Sequence, residues 1–209
     1  RVAIIFLSYH SEPYLQDVAS SLHKLTYPKD RLALVIVDNP HPEHGSSMRF
    51  LQEQILPQSG KELPEVTLLP QTENLGFSGG CNVGIHWAKE QGFDYIFLHN
   101  QDGFLAASAL EKIVAAMESD KTIGTAQALL LLYPETNLVN SARNAFHYLG
   151  LGYCQSFRLP KDKLSIAPIE TVNYASGAAL MLRGDLVRLH GGLDEPFFLY
   201  HEDLSYGLR

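Results

Sequence analysis

Cysteine is scarce: Cys81 and Cys154 are the only two in 209 residues. They have neither CxxC spacing nor histidines at zinc-ligand spacing, which excludes a disulfide scaffold and a structural zinc site. Two buried thiols in a reducing compartment fit better. Long apolar runs are missing as well. The longest, Ala126 to Tyr133, is far short of the ~20 residues a membrane span needs. The first residues carry no signal-peptide pattern, so the expected setting is cytoplasmic. Positive charge is in deficit, with 16 Lys and Arg against 23 Asp and Glu and a net charge of −7. That excludes broad binding to a nucleic-acid backbone, but not a single nucleotide bridged by a divalent cation. There is no GxGxxG after the first strand and no GxSxG, so neither a dinucleotide fingerprint nor a nucleophile elbow is present. Internal repeats, low-complexity tracts and linkers are absent too.

What remains is an ordinary globular composition, 45% hydrophobic and 19% charged, in a chain of single-domain length. Val2 to Leu7 and Leu32 to Val37 are continuous apolar runs that read as strands buried on both faces. Between them Ser11, Glu12 and Pro13 open a helix carried by Leu15, Val18, Leu22 and Leu25. This is a β-α-β unit with a right-handed crossover. Met48, Leu51 and Ile55 predict a further helix, and Val66 to Leu69 a third strand. Asn74 to Gly84 is glycine-rich and runs into a helix ending near Gly92. Its start suits an anion, or else close helix–sheet packing. Tyr95 to Leu98 is the central buried strand, followed by His99-Asn-Gln-Asp102. A helix stripe from Leu105 to Met117 and an apolar run from Ile123 to Leu132 complete the regular alternation. Beyond it, Asn137 to Gln155 reads as short strands and turns, and Leu159 to Pro168 as a loop. Thr171 to Leu182 reads as a strand, and Gly184 to His190 as a short helix.

Three acidic points stand out. Asp38 and Asp102 each follow a buried strand at its carboxyl end, where open α/β sheets bind ligands. In a parallel sheet they share one rim. Asp38 could accept hydrogen bonds from a ribose or base, and Asp102 could hold Mg²⁺ or Mn²⁺. Each could equally be a turn or helix cap. Glu202-Asp203 follows the aromatic run Phe197 to Tyr200. Desolvated carboxylates beside aromatics suit a general base, but Asp203 could also open a terminal helix. His41 and His44 share a loop with Glu43, and His201 precedes the acid pair.

Five segments now stand in order: Val35-Ile-Val-Asp-Asn39, Asn74-Leu-Gly-Phe-Ser-Gly-Gly-Cys-Asn-Val-Gly84, Phe97-Leu-His-Asn-Gln-Asp102, Ser176-Gly-Ala-Ala-Leu-Met-Leu-Arg183 and Gly192-Leu-Asp-Glu-Pro-Phe-Phe-Leu-Tyr-His-Glu-Asp203. Together they resemble family 2 glycosyltransferases over essentially the whole chain, and most of all a bacterial rhamnosyltransferase-like and galactofuranosyltransferase-like branch. The resemblance implies one A-type α/β domain with a mostly parallel sheet flanked by helices. It implies inverting transfer of a sugar from a UDP- or dTDP-sugar to a glycan or lipid-linked acceptor, with Mg²⁺ or Mn²⁺, in cell-surface polysaccharide synthesis. Peripheral association with the inner face of the plasma membrane goes with that role. By position, Asp38 resembles the nucleotide-contacting acid, Asn74 with Gly76, Gly79 and Gly80 the donor-binding turn, and Asp102 the last acid of a DXD metal motif. Asp203, or second to it Glu202, resembles the catalytic base.

The sequence departs from the pattern in places. Asn100-Gln-Asp102 holds one carboxylate, Ser8-Tyr-His10 replaces the usual Thr-Tyr-Asn, and Pro40-His-Pro-Glu-His44 replaces Ser-x-Asp. Residues 1–209 read as a catalytic domain truncated at its C-terminal end. Two rival readings are a sugar-nucleotide nucleotidyltransferase and a non-catalytic nucleotide-sugar or glycan-binding module. The first would want a basic, glycine-rich N-terminal signature that Leu7 to Ser11 does not offer.

Overall fold

The computed structural model describes residues 1–209. The strands β1 (Val2–Ser8), β2 (Leu32–Asp38), β3 (Glu65–Pro70) and β4 (Tyr95–His99) form a parallel sheet in the order β3-β2-β1-β4. Two shorter strands extend it beyond β4. β5 (Thr125–Gln127) lies at the edge, and β10 (Ala179–Arg183) runs antiparallel between β4 and β5. Residues 128–155 hold two small hairpin sheets, β6 (Leu130–Leu131) with β7 (Val139–Ser141) and β8 (Asn144–Phe146) with β9 (Gly152–Cys154).

The continuous apolar runs of β1, β2 and β4 are buried because helices cover both sheet faces. Alternate side chains of a strand point to opposite faces. Ile4 and Phe6 therefore meet Leu15, Val18 and Leu22 of α1 (Glu12–His23) and a helical segment beginning with α2 (Met48–Phe50). That segment widens into a π turn over Leu51–Ile55 and ends in a 3₁₀ turn at Pro57. Ile5 and Leu7 face the other way, onto Cys81, Ile85 and Ala88 of α3 (Gly76–Glu90). Leu110, Val114 and Met117 of α4 (Ala109–Ser119) join the first core, and Val187 of α5 (Gly184–His190) the second. The short helix α6 (Glu202–Gly207) closes the chain.

Some expectations shift. The glycine-rich stretch is not a turn leading into a helix; from Gly76 it is the helix. Gly80 and Gly84 serve packing: a Cβ there would lie 2.4 Å from Leu7 Cδ1 and 2.5 Å from Ile5 Cγ2. Thr171 to Leu182 is not one strand. Only Ala179–Arg183 pairs, because Ser176 to Ala178 turns aside at the rim. Ser11 precedes α1 but does not cap it; its hydroxyl pairs with Ser8 Oγ at 2.7 Å.

Candidate active site

The carboxyl ends of β1, β2 and β4 lie side by side, since Ser8 registers with Asp38 and Phe6 with His99. The loops leaving this rim are joined in a closed ring of hydrogen bonds. Asn39 N–H donates to the Ser8 carbonyl at 2.8 Å, linking β2 to β1. The Asn39 amide then clasps the start of α3. Its Oδ1 accepts from Leu75 N–H at 2.8 Å, and its Nδ2 donates to Asn74 Oδ1 at 2.7 Å and to the Gly76 carbonyl at 3.2 Å. Phe77 N–H donates to the Phe198 carbonyl at 2.6 Å, which brings in the 195–203 segment. Asp203 Oδ2 accepts from Gly177 N–H at 2.8 Å, and Asn100 N–H donates to the Ala178 carbonyl at 3.2 Å. Tyr9 N–H reaches Gln101 Oε1 at 2.8 Å and returns the ring to β1.

Asn74, Gly76 and Asp203 take part in this ring, and the other nominated residues stand beside it. Asp38 is 1% exposed. Its carboxylate accepts from Ser46 Oγ and, at 3.0 Å, from Ser47 N–H, so it anchors the 40–47 loop as well as standing at the rim. A carboxylate has about four acceptor positions, which leaves capacity beyond these two. Asp102 is exposed in a turn closed by Gly103 N–H on the Asn100 carbonyl, and its Oδ1 accepts from Asn100 Nδ2 at 3.0 Å. Asn74 holds Gly76 N–H at 2.9 Å. Gly76 has φ +70°, and a Cβ there would lie 2.5 Å from the Phe198 carbonyl oxygen. Gly79 touches little beyond Leu75 of its own helix.

The amide end of α3, open in the sequence to either an anion or close packing, is filled by the chain itself. The Phe198 carbonyl accepts from both Phe77 and Ser78, and the orphan donors of a helix N-terminus need such a partner. Phe197 to Tyr200 read as an aromatic run that could desolvate the acid pair after it. Instead their side chains stand exposed, because Phe198 at φ 48° and Tyr200 and His201 at φ 70° turn the backbone carbonyl inward. The acid pair divides. Glu202 is 5% exposed, with Oε2 buried and unpartnered, and burial beside Asp203 pushes its carboxyl above the ordinary range. Asp203 is half-buried and faces the rim, held by Gly177 and by its own helix through Leu204 N–H at 2.7 Å. Of the two, Asp203 is the one a substrate can reach.

Other residues at the rim drew no assignment from the sequence. Asn82 on α3 pairs with the Leu193 backbone in both directions, at 2.8 and 2.9 Å, and fixes the segment leading to Glu202 and Asp203 onto α3. Gln127 Oε1 accepts from Ser176 N–H at 2.6 Å and from Asn144 Nδ2 at 2.7 Å. His99, read as the start of a polar turn, is a buried strand residue whose pKa burial lowers to about 4. Beside β1 and β2, His10, His41 and His44 stack with centroids 3.9 to 5.6 Å apart, and Tyr9 lies 4.7 Å from His41. The short amides of Asn39 and Asn82, each directly beside a strand acid or inside a glycine run, were the legible hint. Burial raises the Cys81 thiol, which removes it as a nucleophile. A cavity of about 410 Å³ between α1 and residues 54–62 includes none of the ring residues.

A doubly wound sheet with a polar ring at its carboxyl rim defines an A-type α/β transferase fold. The glycosyl transferase family 2 model matches residues 3–188, and the chain belongs to that family. A comparison with curated proteins found no match. Among solved structures, TarS of S. aureus aligns over all of this chain and 33% of its own, at 18% identity and TM-score 0.65. A mannosyltransferase from Pyrobaculum calidifontis, in complex with GDP-Man and Mn²⁺, aligns over 99% of this chain and 50% of its own, at 16% identity and TM-score 0.65. GalNAc-T7 with UDP, GalNAc and Mn²⁺ aligns over 99% and 39%, at 13% identity and TM-score 0.74. At these identities the likeness is one of fold. The chain spans about a third to a half of these proteins. No helix is long and apolar enough to cross a membrane.

Proposed function

We propose that these 209 residues form the catalytic domain of an inverting glycosyltransferase, moving a sugar from a UDP- or dTDP-sugar to a hydroxyl of a glycan or lipid-linked acceptor. The observation that carries this reading is the hydrogen-bonded ring. It draws together the four segments that carry Asp38, Asn74 with Gly76, Asp102 and Asp203. The neighbours' complexes with GDP-Man, UDP and Mn²⁺ support the substrate class. The rhamnosyl- or galactofuranosyl-like branch, and a part in cell-surface polysaccharide synthesis, are adopted as the working assignment.

In this reading the nucleoside lies against Tyr9, His41 and His44, whose rings offer a stacking surface beside Asp38. The Asn74–Gly76 backbone, held by Asn39, shapes the donor-binding turn. No group of three or more His, Cys, Asp or Glu side chains is placed to hold a metal ion. Asp102 alone fits the weaker pattern of magnesium and manganese, which take one or two carboxylates and complete their shell with substrate phosphates and water. A bound cation would neutralise the departing diphosphate. Asp203 removes the acceptor proton as the hydroxyl attacks the anomeric carbon opposite the leaving group. Its two backbone donors hold it toward Gly177, so the carboxylate is oriented before substrate arrives.

Calorimetry with UDP and dTDP, with and without Mn²⁺, tests the donor half. Chelator should weaken donor binding in the wild type and have much less effect in Asp102→Asn. Equal, metal-independent affinity in both proteins would remove Asp102 from the metal role. Asp38→Ala should weaken nucleoside diphosphate binding; unchanged affinity would confine Asp38 to anchoring its loop. Donor binding with neither hydrolysis nor transfer would favour the binding-module reading.

A further inference from the structure

We infer that His10 is a proton-dependent contact for the diphosphate of the donor: nucleotide binding draws a proton onto its imidazole, so affinity rises as pH falls. This rests on the glycosyl-transfer reading above and adds to it a positive charge that the chain itself supplies.

His10 takes a backbone conformation that bulky residues avoid. Its φ is 52°, in the left-handed region. Such strain persists only where the surrounding structure enforces it, and it gathers at ligand sites. Here the turn is held on both sides. Ser8 Oγ and Ser11 Oγ pair at 2.7 Å, and Tyr9 N–H is bound to Gln101 Oε1. The imidazole lies flat on that of His44, with centroids 3.9 Å apart and planes 16° apart. Residues 8–11 thus join the rings offered to the nucleoside to the turn that carries Asp102. A diphosphate linking nucleoside to cation crosses the same ground.

The three imidazoles have different hydrogen-bonding needs. His41 Nδ1 accepts from the N–H groups of Glu43 and His44, at 3.1 and 3.2 Å. A proton placed there would break both bonds. His44 lies face to face with His10, and two cations so close oppose each other. His10 is the ring with something to gain. Its Nδ1 lies 3.4 Å from Glu12 Oε2, a buried carboxylate oxygen with no hydrogen-bond partner. An N–H at Nδ1 would give that oxygen its donor. The His10 side chain is 41% exposed, so the ring is also open to a ligand. A phosphate oxygen arriving at Nε2 needs a donor as well. Neutral imidazole carries one N–H and can serve Glu12 or the phosphate; imidazolium carries two and serves both. A bound diphosphate therefore selects the charged ring, through hydrogen bonds that the charge strengthens.

The other titratable groups around this turn are Tyr9, Glu43 with His41 and His44 in the 40–47 loop, Asp38 at the end of β2, and Asp102 beyond the Gln101 bond. Asp38 is engaged by Ser46 and Ser47. Asn100-Gln-Asp102 offers a cation a single carboxylate, and an imidazolium adds positive charge toward the phosphates from the β1 side.

Calorimetry of UDP and dTDP with Mn²⁺ tests this, run between about pH 6 and 8, where imidazoles change charge. Pairs of buffers with different ionisation enthalpies count the protons taken up. The wild type should take up roughly one proton per nucleotide, and affinity should rise by up to ~tenfold per unit as pH falls. His10→Gln should abolish that uptake and level the pH dependence; whatever survives in it belongs to the nucleotide's own phosphate and is subtracted. Glu12→Gln separates this role from a merely structural one. Its amide can donate to Nδ1, which leaves neutral His10 an N–H for the phosphate. That variant should bind nucleotide with no proton uptake and with affinity that no longer depends on pH. Nucleotide binding with equal proton uptake in wild type and His10→Gln overturns this proposal and leaves the transferase reading standing, as does full uptake in Glu12→Gln. Failure of both nucleotides to bind at any pH overturns the two together.

Discussion

The two halves of this molecule are held together by different means. Through α4, four parallel strands pair over long registers and two apolar cores pack against their faces. From β5 onward only β10 joins both cores over a five-residue register; the other strands are short, and side-chain bonds tie the segments together: Gln127 ties Asn144 to Ser176, Arg143 holds Glu170, and Asn82 grips Leu193. Nucleotide recognition, on this view, stands on a framework that tolerates change. The proposed acceptor side and base depend on a few side-chain hydrogen bonds, each of which can be broken.

The sharpest break in that comparison is at Asp203. Asp203→Asn keeps its shape and should lower turnover by ~10²–10⁴-fold. Donor affinity, measured separately, should hardly change, because the proposed nucleotide-binding residues lie in the other half. If rate and donor affinity fell together, the base role would pass to Glu202.

Acidification probes the first half. His99 titrates near 6.5 when unfolded and at about 4 when folded, held neutral by burial. Between those values the unfolded chain binds the extra proton, so stability is lost as pH falls through that window, by roughly 3 kcal/mol in full. Urea unfolding at a series of pH values should show this slope in the wild type and lose it in His99→Gln. A slope that survived the substitution would place the sensitive group elsewhere.

In the second half, Gln127→Ala strands Ser176 N–H and Asn144 Nδ2. Leaving such buried donors unpaired costs about 1–3 kcal/mol. The change should appear as a lower melting temperature and faster hydrogen exchange at residues 141–144 and 176–178, with β1 and β2 unaffected. Uniformly faster exchange would mean that the two halves unfold as one unit.

The smallest effect has the opposite sign to that of His99. Burial raises the Glu202 carboxyl, so the folded state binds its proton more tightly and stability from this group rises as pH falls toward the ordinary carboxylate range. Glu202→Gln should therefore raise the melting temperature at neutral pH and flatten the acid limb. A lower melting temperature would mean that the buried carboxylate has a partner only its charge can hold.

Much of this was legible in the sequence. The apolar runs at 2–7, 32–37 and 95–98 are buried strands, and the acids after them share a rim as expected. The helix stripe of Leu15, Val18 and Leu22 faces the core. The glycine run was ambiguous because spacing saves room for a strand and for a ligand alike; Gly80 and Gly84 proved to be packing positions, and Gly76 a turn against Phe198. The aromatic run misled, since three residues at positive φ reverse which part of the chain faces inward.

Burial of apolar surface is non-directional and follows local periodicity, so strands, helices and the rim they define can be read from neighbouring residues alone. A hydrogen bond needs a particular partner at a particular angle, and here the partners are remote: Tyr9 and Gln101 stand 92 positions apart, Asn82 and Leu193 111, Gly177 and Asp203 26. That Asp203 faces the rim while Glu202 turns inward, and that a carbonyl from Phe198 fills the end of α3, were settled only when those remote segments met.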